Sequence, residues 1–169
     1  AFFEPNLTRK AQCVTRKRVN TRMPQRMQRV AGIDGCRSGW LIVEAHIDLS
    51  KAELNFAPNW HDVKSTARVI AVDMPIGLSR DGVRQCEVEA RRLLSPCASR
   101  VFKTIARGAL RFAQKDWNVA NQWSKDQGFG GISKQIWNIR PKIEEIDRAI
   151  APADQLRIVE AHPELAFAR

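Results

Sequence analysis

Three acidic residues follow apolar stretches of the sequence, which is where a strand presents a carboxylate at its end. Asp34 follows residues 30–33, Asp73 follows residues 69–72, and Glu160 follows residues 156–159. A turn that contains Gly or Pro comes after each acid. If these strands are neighbours, their acids can converge at one edge, and unneutralised carboxylates that lie close together repel one another strongly. A bound divalent cation is the usual way to remove that repulsion.

The donor types indicate which cation would bind. Carboxylate oxygens without clustered Cys or His favour Mg²⁺ or Mn²⁺ over zinc. The four cysteines are widely spaced and form no C-x-x-C pair, so neither a zinc site nor a disulfide framework is predicted. Two such ions would activate a water and stabilise the leaving oxygen in phosphodiester hydrolysis, with the three acids as ligands. Lys142, Arg84 or Arg100 could then hold the scissile phosphate.

A simpler interpretation of the same acids stays open. Asp34 and Gly35 are favoured residues of a hairpin turn, and Asp73 can initiate the turn at Met74-Pro75. Neither acid would then bind a ligand. The repetition of the pattern at a third strand end, with Glu160, favours a site over three unrelated turns.

The net charge of +10 is concentrated in two segments of the chain. Residues 1–26 and residues 80–115 each carry a net charge of +6, and the two remaining segments each come to −1. A basic block inside the folded region suits a phosphate-backbone partner such as nucleic acid. The alternative is a solvated helix face with no partner.

The pattern predicts a mixed α/β fold. Strands are expected at 30–34, 40–47 and 54–57 as an antiparallel meander, followed by a short helix near 60–67. The apolar run 69–73 suits a strand buried on both faces, as in the parallel part of a sheet. A last strand is expected at 156–160.

Helices are predicted between those strands. One is expected over 83–94 and a longer one over 105–123. Isoleucines spaced alternately by four and three residues between Ile132 and Ile150 predict a helix that packs on the sheet. Pro141 lies inside that segment, so a kink or two short helices are expected there.

The domain organisation follows from composition and length. Residues 1–28 show no sustained periodicity and are expected to be a disordered basic arm or a non-native upstream segment. Residues 29–169 have the length of one domain. The chain has neither an apolar run of about 20 residues nor the apolar centre of a secretory signal, so a cytoplasmic protein without a membrane partner is expected.

Seven short motifs connect the chain to a known family. They are GIDGCRxGW at 32–40, VDMPIGL at 72–78, RxCExxAR at 84–91, SRVF at 99–102, GISxQ at 131–135, PKIxExD at 141–147 and ExHPExxF at 160–167. With these motifs in this order, the chain resembles the predicted RNase H-like nucleases, the domain-of-unknown-function family 429. The resemblance implies an RNase H-like mixed sheet, three antiparallel strands followed by parallel ones, with helices packed on it.

The resemblance also implies a metal-dependent nuclease site. Its acidic core would be Asp34, Asp73 and Glu160, with Lys142 catalytic and Glu164 a further metal ligand. The candidates for substrate binding are Arg37, Arg84, Arg91, Arg100, Gln135 and His162. Glu87 stands where the resemblance implies Asp. A further helical region is implied after the His-Pro-Glu turn, so the domain is expected to be incomplete at its C-terminus.

Two other functions are weighed against the nuclease. One is a catalytically inactive nucleic-acid-binding or interaction domain with the same fold. The other is a nucleotide phosphotransferase of the actin-like kinase group, whose phosphate loops also follow a strand with Asp-Gly. The single-domain length argues against the phosphotransferase, because those enzymes hold the nucleotide between two lobes.

Overall fold

A five-stranded mixed sheet forms the centre of the computed structural model, which describes residues 29–112 and 114–168. The predicted arm of residues 1–28 lies outside the described residues. The strands, in the spatial order β3-β2-β1-β4-β5, are β1 (Arg29–Cys36), β2 (Gly39–His46), β3 (Glu53–Ala57), β4 (Val69–Asp73) and β5 (Ile158–Glu160). The first three are antiparallel, while β4 runs parallel to β1 and β5 runs parallel to β4. The predicted meander and the mixed sheet are therefore confirmed.

A tight turn joins β1 to β2 and places the two strands in register from Arg29 to Cys36. Gly39 opens β2 directly beside β3. A Cβ atom at Gly39 would lie 2.3 Å from the carbonyl oxygen of Ala57, so a larger residue would push the two strands apart. The hairpin thus fixes the exit of β1, which carries Asp34.

Within the described residues, three α-helices lie between β4 and β5 and a fourth follows β5. They are α1 (Gln85–Leu93), α2 (Trp117–Asp126), α3 (Lys134–Ala149) and α4 (Pro163–Phe167). Short 3₁₀ segments occur at Trp60–Asp62, Ala98–Arg100, Arg107–Phe112 and Pro152–Leu156. No helix of the described chain is both long and apolar enough to cross a membrane.

The predicted continuous helix over 105–123 is wrong. The chain forms the 3₁₀ segment Arg107–Phe112 and then starts α2 after Asp116, whose backbone is extended. Gly108 packs against Trp123, and a Cβ there would lie 2.6 Å from the ring. A straight helix would separate these two residues by about 22 Å. The tryptophan contact therefore requires the chain to fold back.

α3 is one helix, so the alternative of two shorter helices is wrong. Ser133 caps its start, since the Ser133 hydroxyl accepts a hydrogen bond from the Ile136 N–H at 3.2 Å. Pro141 has no N–H to donate to the carbonyl oxygen of Trp137. The guanidinium of Arg140 donates to that oxygen instead, at 2.9 Å, which satisfies the carbonyl and lets the helix continue.

The two faces of the sheet are buried to different extents. On one face, Trp40, Val72, Ile143 and Ile146 are fully buried between the sheet and α3. On the other face, Val69 is 40% exposed. The prediction that 69–73 is buried on both faces is therefore wrong, because the described residues leave one face of β4 partly open.

Candidate active site

The parallel strands bring the three predicted acids to one edge of the sheet. Asp34 of β1 lies directly opposite Asp73 of β4 in the strand register. Glu160 of β5 pairs with Val72, one residue before Asp73. Because parallel strands end at the same edge, the sequence pattern of an acid at each strand end becomes a spatial cluster.

A cavity of about 360 Å³ lies at this edge and is lined by all three acids. Apolar walls come from Met74, Val101, Phe102, Ile136 and Ile139. Further polar side chains that line it are Glu87, Thr104, Gln135, His162 and Glu164. Five carboxylates therefore share one cavity.

Asp34 and Asp73 have no hydrogen-bond or ion-pair partner for their side chains within the described chain, and both residues are exposed. Partial burial and the neighbouring charge of Asp34 raise the pKa of Asp73, with smaller contributions from Glu164 and Glu160, while His162 acts in the opposite direction. After burial, the charge of Asp34 on the adjacent strand is the largest contribution that raises this pKa. We refer to Asp34 and Asp73 as the aspartate pair.

Glu160 has a different environment, although it stands on the next strand. Both of its carboxylate oxygens accept hydrogen bonds from the Arg84 guanidinium, Oε1 from Nη1 at 3.1 Å and Oε2 from Nη2. The backbone N–H of Ile76 also donates to Oε2, at 2.9 Å. Glu160 is thus neutralised by protein groups.

Arg84 also binds Glu87, and we refer to Glu87 and Glu160 as the arginine-bound pair. Its Nη1 donates to Glu87 Oε1 at 3.0 Å, and that same oxygen accepts from the Thr104 N–H at 3.2 Å. Burial alone would lower the pKa of Arg84, but its hydrogen bonds to Glu160 and Glu87 raise it above the ordinary value. The guanidinium is therefore permanently charged.

No donor of Arg84 is left for a substrate. Nη2 donates to the carbonyl oxygen of Ile76 at 2.8 Å, and Nε donates to that of Gly77 at 3.3 Å. With the two glutamates, every N–H group of the guanidinium is engaged. The predicted substrate contact of Arg84 is therefore replaced by a contact that positions Glu87 and Glu160.

Glu87 and Thr104 were absent from the predicted site. The sequence signal for Glu87 was its position three residues after Arg84, the spacing that places two side chains together on a helix. No comparable signal marked Thr104. It reaches the site because the segment after Arg100 returns to α1, and its backbone N–H then meets Glu87.

His162 and Glu164 enter the cavity at the start of α4. Nδ1 of His162 lies 3.0 Å from Oε2 of Glu164, although the angle is not that of a hydrogen bond. Pro163 occupies the first turn of α4, where its missing N–H has no intrahelical partner to lose. The turn thus places the imidazole and a carboxylate next to Glu160.

Lys142 does not line the cavity. Its ammonium lies 3.1 Å from Glu145 Oε2 and 4.6 Å from the ring centroid of Trp40. The stem of Lys142 passes beside the turn after Asp34, with Cγ 3.6 Å from the position that a Cβ of Gly35 would take. The predicted catalytic lysine is therefore close to the first acid but paired with another group.

The remaining predicted contacts divide between the cavity and the surface. Gln135 lines the cavity at the start of α3. Arg37, Arg91 and Arg100 are exposed and do not line it. Arg100 instead lines an adjoining cleft of about 510 Å³, which shares Glu164 with the cavity.

Carboxylate oxygens are ligands that Mg²⁺ and Mn²⁺ prefer, and the aspartate pair supplies two of them without a competing partner. Among the described residues, no group of three or more His, Cys, Asp or Glu side chains is arranged to hold one metal ion. Glu160 does not complete such a group because it faces Arg84. The aspartate pair is therefore the part of the cavity whose chemistry fits a divalent cation.

Comparison with protein families assigns the chain. The model of DUF429, described as a protein of unknown function, matches residues 32–169. The chain belongs to the DUF429 family. All the acids of the cavity lie within the matched region of this DUF429 protein. Searches of curated proteins and of solved structures found no match to the chain.

Proposed function

We propose that this DUF429 protein is a metal-dependent nuclease of RNase H-like fold that hydrolyses phosphodiester bonds of RNA or DNA. The observation that carries the proposal is the aspartate pair, two carboxylates opposite one another on adjacent parallel strands with no cationic partner within hydrogen-bond or ion-pair distance among the described residues. The order of strand directions, three antiparallel and then two parallel, supports the RNase H-like assignment.

The aspartate pair is unfavourable in the free protein. Like charges directly opposite on neighbouring strands destabilise a sheet, and the raised pKa of Asp73 is one result of the repulsion. A divalent cation removes this penalty when it binds, so folding leaves the pair ready for a cation. A pair with only a structural role would instead be expected to have a basic neighbour.

In this proposal, Asp34 and Asp73 hold Mg²⁺ or Mn²⁺. When bound, such an ion lowers the pKa of a coordinated water and polarises a phosphoryl oxygen. Gln135 can donate its amide N–H to a non-bridging phosphate oxygen in the cavity. His162, with Glu164 against its Nδ1, can exchange a proton at Nε2. Hydrolysis breaks one P–O bond, adds the water oxygen to phosphorus, and gives a proton to the leaving oxygen.

Exposed basic side chains support a nucleic-acid substrate. Arg91 at the end of α1 and Arg100 in the adjoining cleft are exposed, so each can neutralise a phosphate. Arg37, in the turn after β1, is exposed close to Asp34 in the chain. We propose a cytoplasmic location, with which the free thiols of Cys36, Cys86 and Cys97 in the described part of the chain agree.

The test is cleavage of end-labelled single-stranded RNA, single-stranded DNA and an RNA–DNA hybrid during a Mn²⁺ titration. Cleavage that requires Mn²⁺ and is lost in Asp34→Asn supports the proposal. Asp126→Asn is the matched control, because Asp126 is an exposed aspartate of α2 that does not line the cavity. Cleavage that persists at full rate in Asp34→Asn, or that ignores Mn²⁺, contradicts the proposal.

A second candidate function is a catalytically inactive nucleic-acid-binding domain. The neutralisation of Glu160 by Arg84 favours it, because one of the three predicted ligands already has a protein partner. The same experiment separates the two functions. Binding of the labelled strands without cleavage at any Mn²⁺ concentration, unchanged in Asp34→Asn, supports the inactive domain.

A further inference from the structure

Arg84 holds a position between two carboxylates of the cavity. Its Nη1 contacts Glu87 and Glu160 together, and Nη2 contacts Glu160 and the carbonyl oxygen of Ile76. Only 6% of the Arg84 side chain is exposed. A positive charge is therefore already present beside Glu87 and Glu160, where a second metal ion would otherwise offset the charge of these carboxylates.

We infer that Arg84 takes the place of a second metal ion beside Glu87 and Glu160, so that the cavity binds one divalent cation, at the aspartate pair. The inference rests on the proposed function. It changes the predicted two-metal site into a site with one ion and one fixed guanidinium. Arg84 is then a positioning residue that orients Glu160 and Glu87.

Electrostatics disfavours an ion at Glu160. Each oxygen of Glu160 accepts from a charged nitrogen of Arg84. A Mg²⁺ bound to either oxygen at about 2 Å would lie within a few ångströms of the guanidinium, and the two cations would repel each other. No basic side chain of residues 29–112 or 114–168 forms such a contact with the aspartate pair.

Arg84 is also unable to move aside without breaking other contacts. It precedes α1, and its hydrogen bonds to Ile76 and Gly77 attach it to the turn that follows β4. Glu160 in turn accepts from the Ile76 N–H. The same turn therefore fixes both the arginine and the glutamate, which keeps the positive charge of Arg84 beside Glu160 and Glu87.

The number of bound ions tests the inference without any assay of activity. Electron paramagnetic resonance of free Mn²⁺, measured during titration of the full chain, should give one bound ion. Asp34→Asn should weaken that binding at least tenfold. Glu160→Gln should change the Mn²⁺ affinity less than about threefold, because Glu160 then neither binds the ion nor orients one of its ligands. Loss of a residue that does orient a metal ligand would cost about 10- to 100-fold.

Arg84→Gln provides a second measurement. Loss of the guanidinium leaves Glu87 and Glu160 without a cation, so the number of bound Mn²⁺ ions should rise from one to two. Glu160→Gln keeps the inference testable if Arg84→Gln does not fold, because glutamine retains an oxygen that can accept from Arg84. Circular dichroism identifies which variants are folded.

Two bound ions in the wild-type chain, or loss of Mn²⁺ binding in Glu160→Gln, would overturn the inference. Mn²⁺-dependent cleavage in those cases would leave the proposed function intact. One bound ion that disappears in Asp34→Asn, together with no cleavage of any strand, would support the inference and contradict the nuclease. Absence of Mn²⁺ binding would overturn both.

Discussion

The aspartate pair and the arginine-bound pair lie in the same cavity, yet they differ in what surrounds them. Asp34 and Asp73 are exposed and face each other without an ion-pair partner in the described part of the chain, whereas Glu87 and Glu160 share one buried guanidinium. The aspartate pair keeps a repulsion that a bound cation can relieve, whereas Arg84 offsets one of the two negative charges of the arginine-bound pair. Two pairs of carboxylates in one cavity thus take different roles because Arg84 neighbours only one of them.

The difference begins with the position of each acid. Asp34 and Asp73 are short side chains at the ends of central strands, and no described basic side chain forms an ion pair with them. Glu160 is longer and stands on the edge strand β5, where the turn after β4 brings Arg84 against it. Chain topology therefore determines which of these acids form an ion pair with a described basic side chain and which do not.

The largest expected effect is on activity. Asp73→Asn should reduce Mn²⁺-dependent cleavage by at least about 100-fold, because it removes one of two oxygen ligands, while the fold is retained at an exposed position. Initial cleavage rates at saturating substrate measure the effect, and Asp126→Asn serves as control. A loss of less than threefold would show that the aspartate pair is not the centre of the site.

The second-largest expected effect is on stability and concerns the arginine-bound pair. Arg84→Met should lower the free energy of unfolding by roughly 3 to 5 kcal/mol, because it leaves two carboxylates without their cation, one of them buried. Urea denaturation followed by circular dichroism measures it.

Arg92→Met is the matched control for that variant. Arg92 pairs with Glu89 over the same three-residue spacing, at 2.8 Å, but 70% of its side chain is exposed. Its loss should cost no more than about 0.5 kcal/mol. Equal losses in the two variants would contradict the view that Arg84 is the structural centre of the arginine-bound pair.

The sequence predicted most of the sheet. Short apolar segments bounded by a glycine-containing turn located β1 and β2, and the apolar run located β4, while the acids at the strand ends indicated which edge would carry the site. Parallel pairing then placed Asp34 opposite Asp73. These features depend on local hydrophobic pattern and on the order of the elements along the chain, which the sequence carries directly.

The missed features depend on contacts between distant segments. The fold-back near Gly108 exists because Trp123 packs on it, and α3 stays whole because Arg140 satisfies the carbonyl oxygen of Trp137. Likewise, Arg84 and Glu160 are separated by 76 residues in the chain. From the sequence alone, a basic residue such as Arg84 could bind a phosphate or a glutamate. Only the folded structure shows which of the two it contacts.

The smallest expected effect is the pH dependence of the aspartate pair. The folded-state pKa of Asp73 is raised, so the folded chain binds this proton more tightly than the unfolded chain does. The resulting contribution to stability is present below the unfolded pKa and is lost as the pH rises through the folded pKa. Without metal, Asp34→Asn should therefore be more stable than wild type at pH 7 by about 0.5 kcal/mol, and equal to it near pH 3.

Urea unfolding at both pH values checks this expectation. The advantage of Asp34→Asn should appear only where both aspartates are ionised. Glu160→Gln should show the opposite behaviour at pH 7, since it removes a favourable ion pair with Arg84. If Asp34→Asn is less stable than wild type at pH 7 in the absence of metal, the repulsion between the aspartates is not significant.

The most direct test of the account is the shift in melting temperature caused by Mn²⁺. At a concentration about 100 times the dissociation constant, one bound ion should stabilise the wild-type chain by about 2.7 kcal/mol. The account predicts that this stabilisation falls to about half or less in Asp34→Asn and in Asp73→Asn, because their Mn²⁺ affinity is at least tenfold lower, but persists in Glu160→Gln. Equal stabilisation of all four chains, or loss in Glu160→Gln alone, would contradict the assignment of the cation to the aspartate pair.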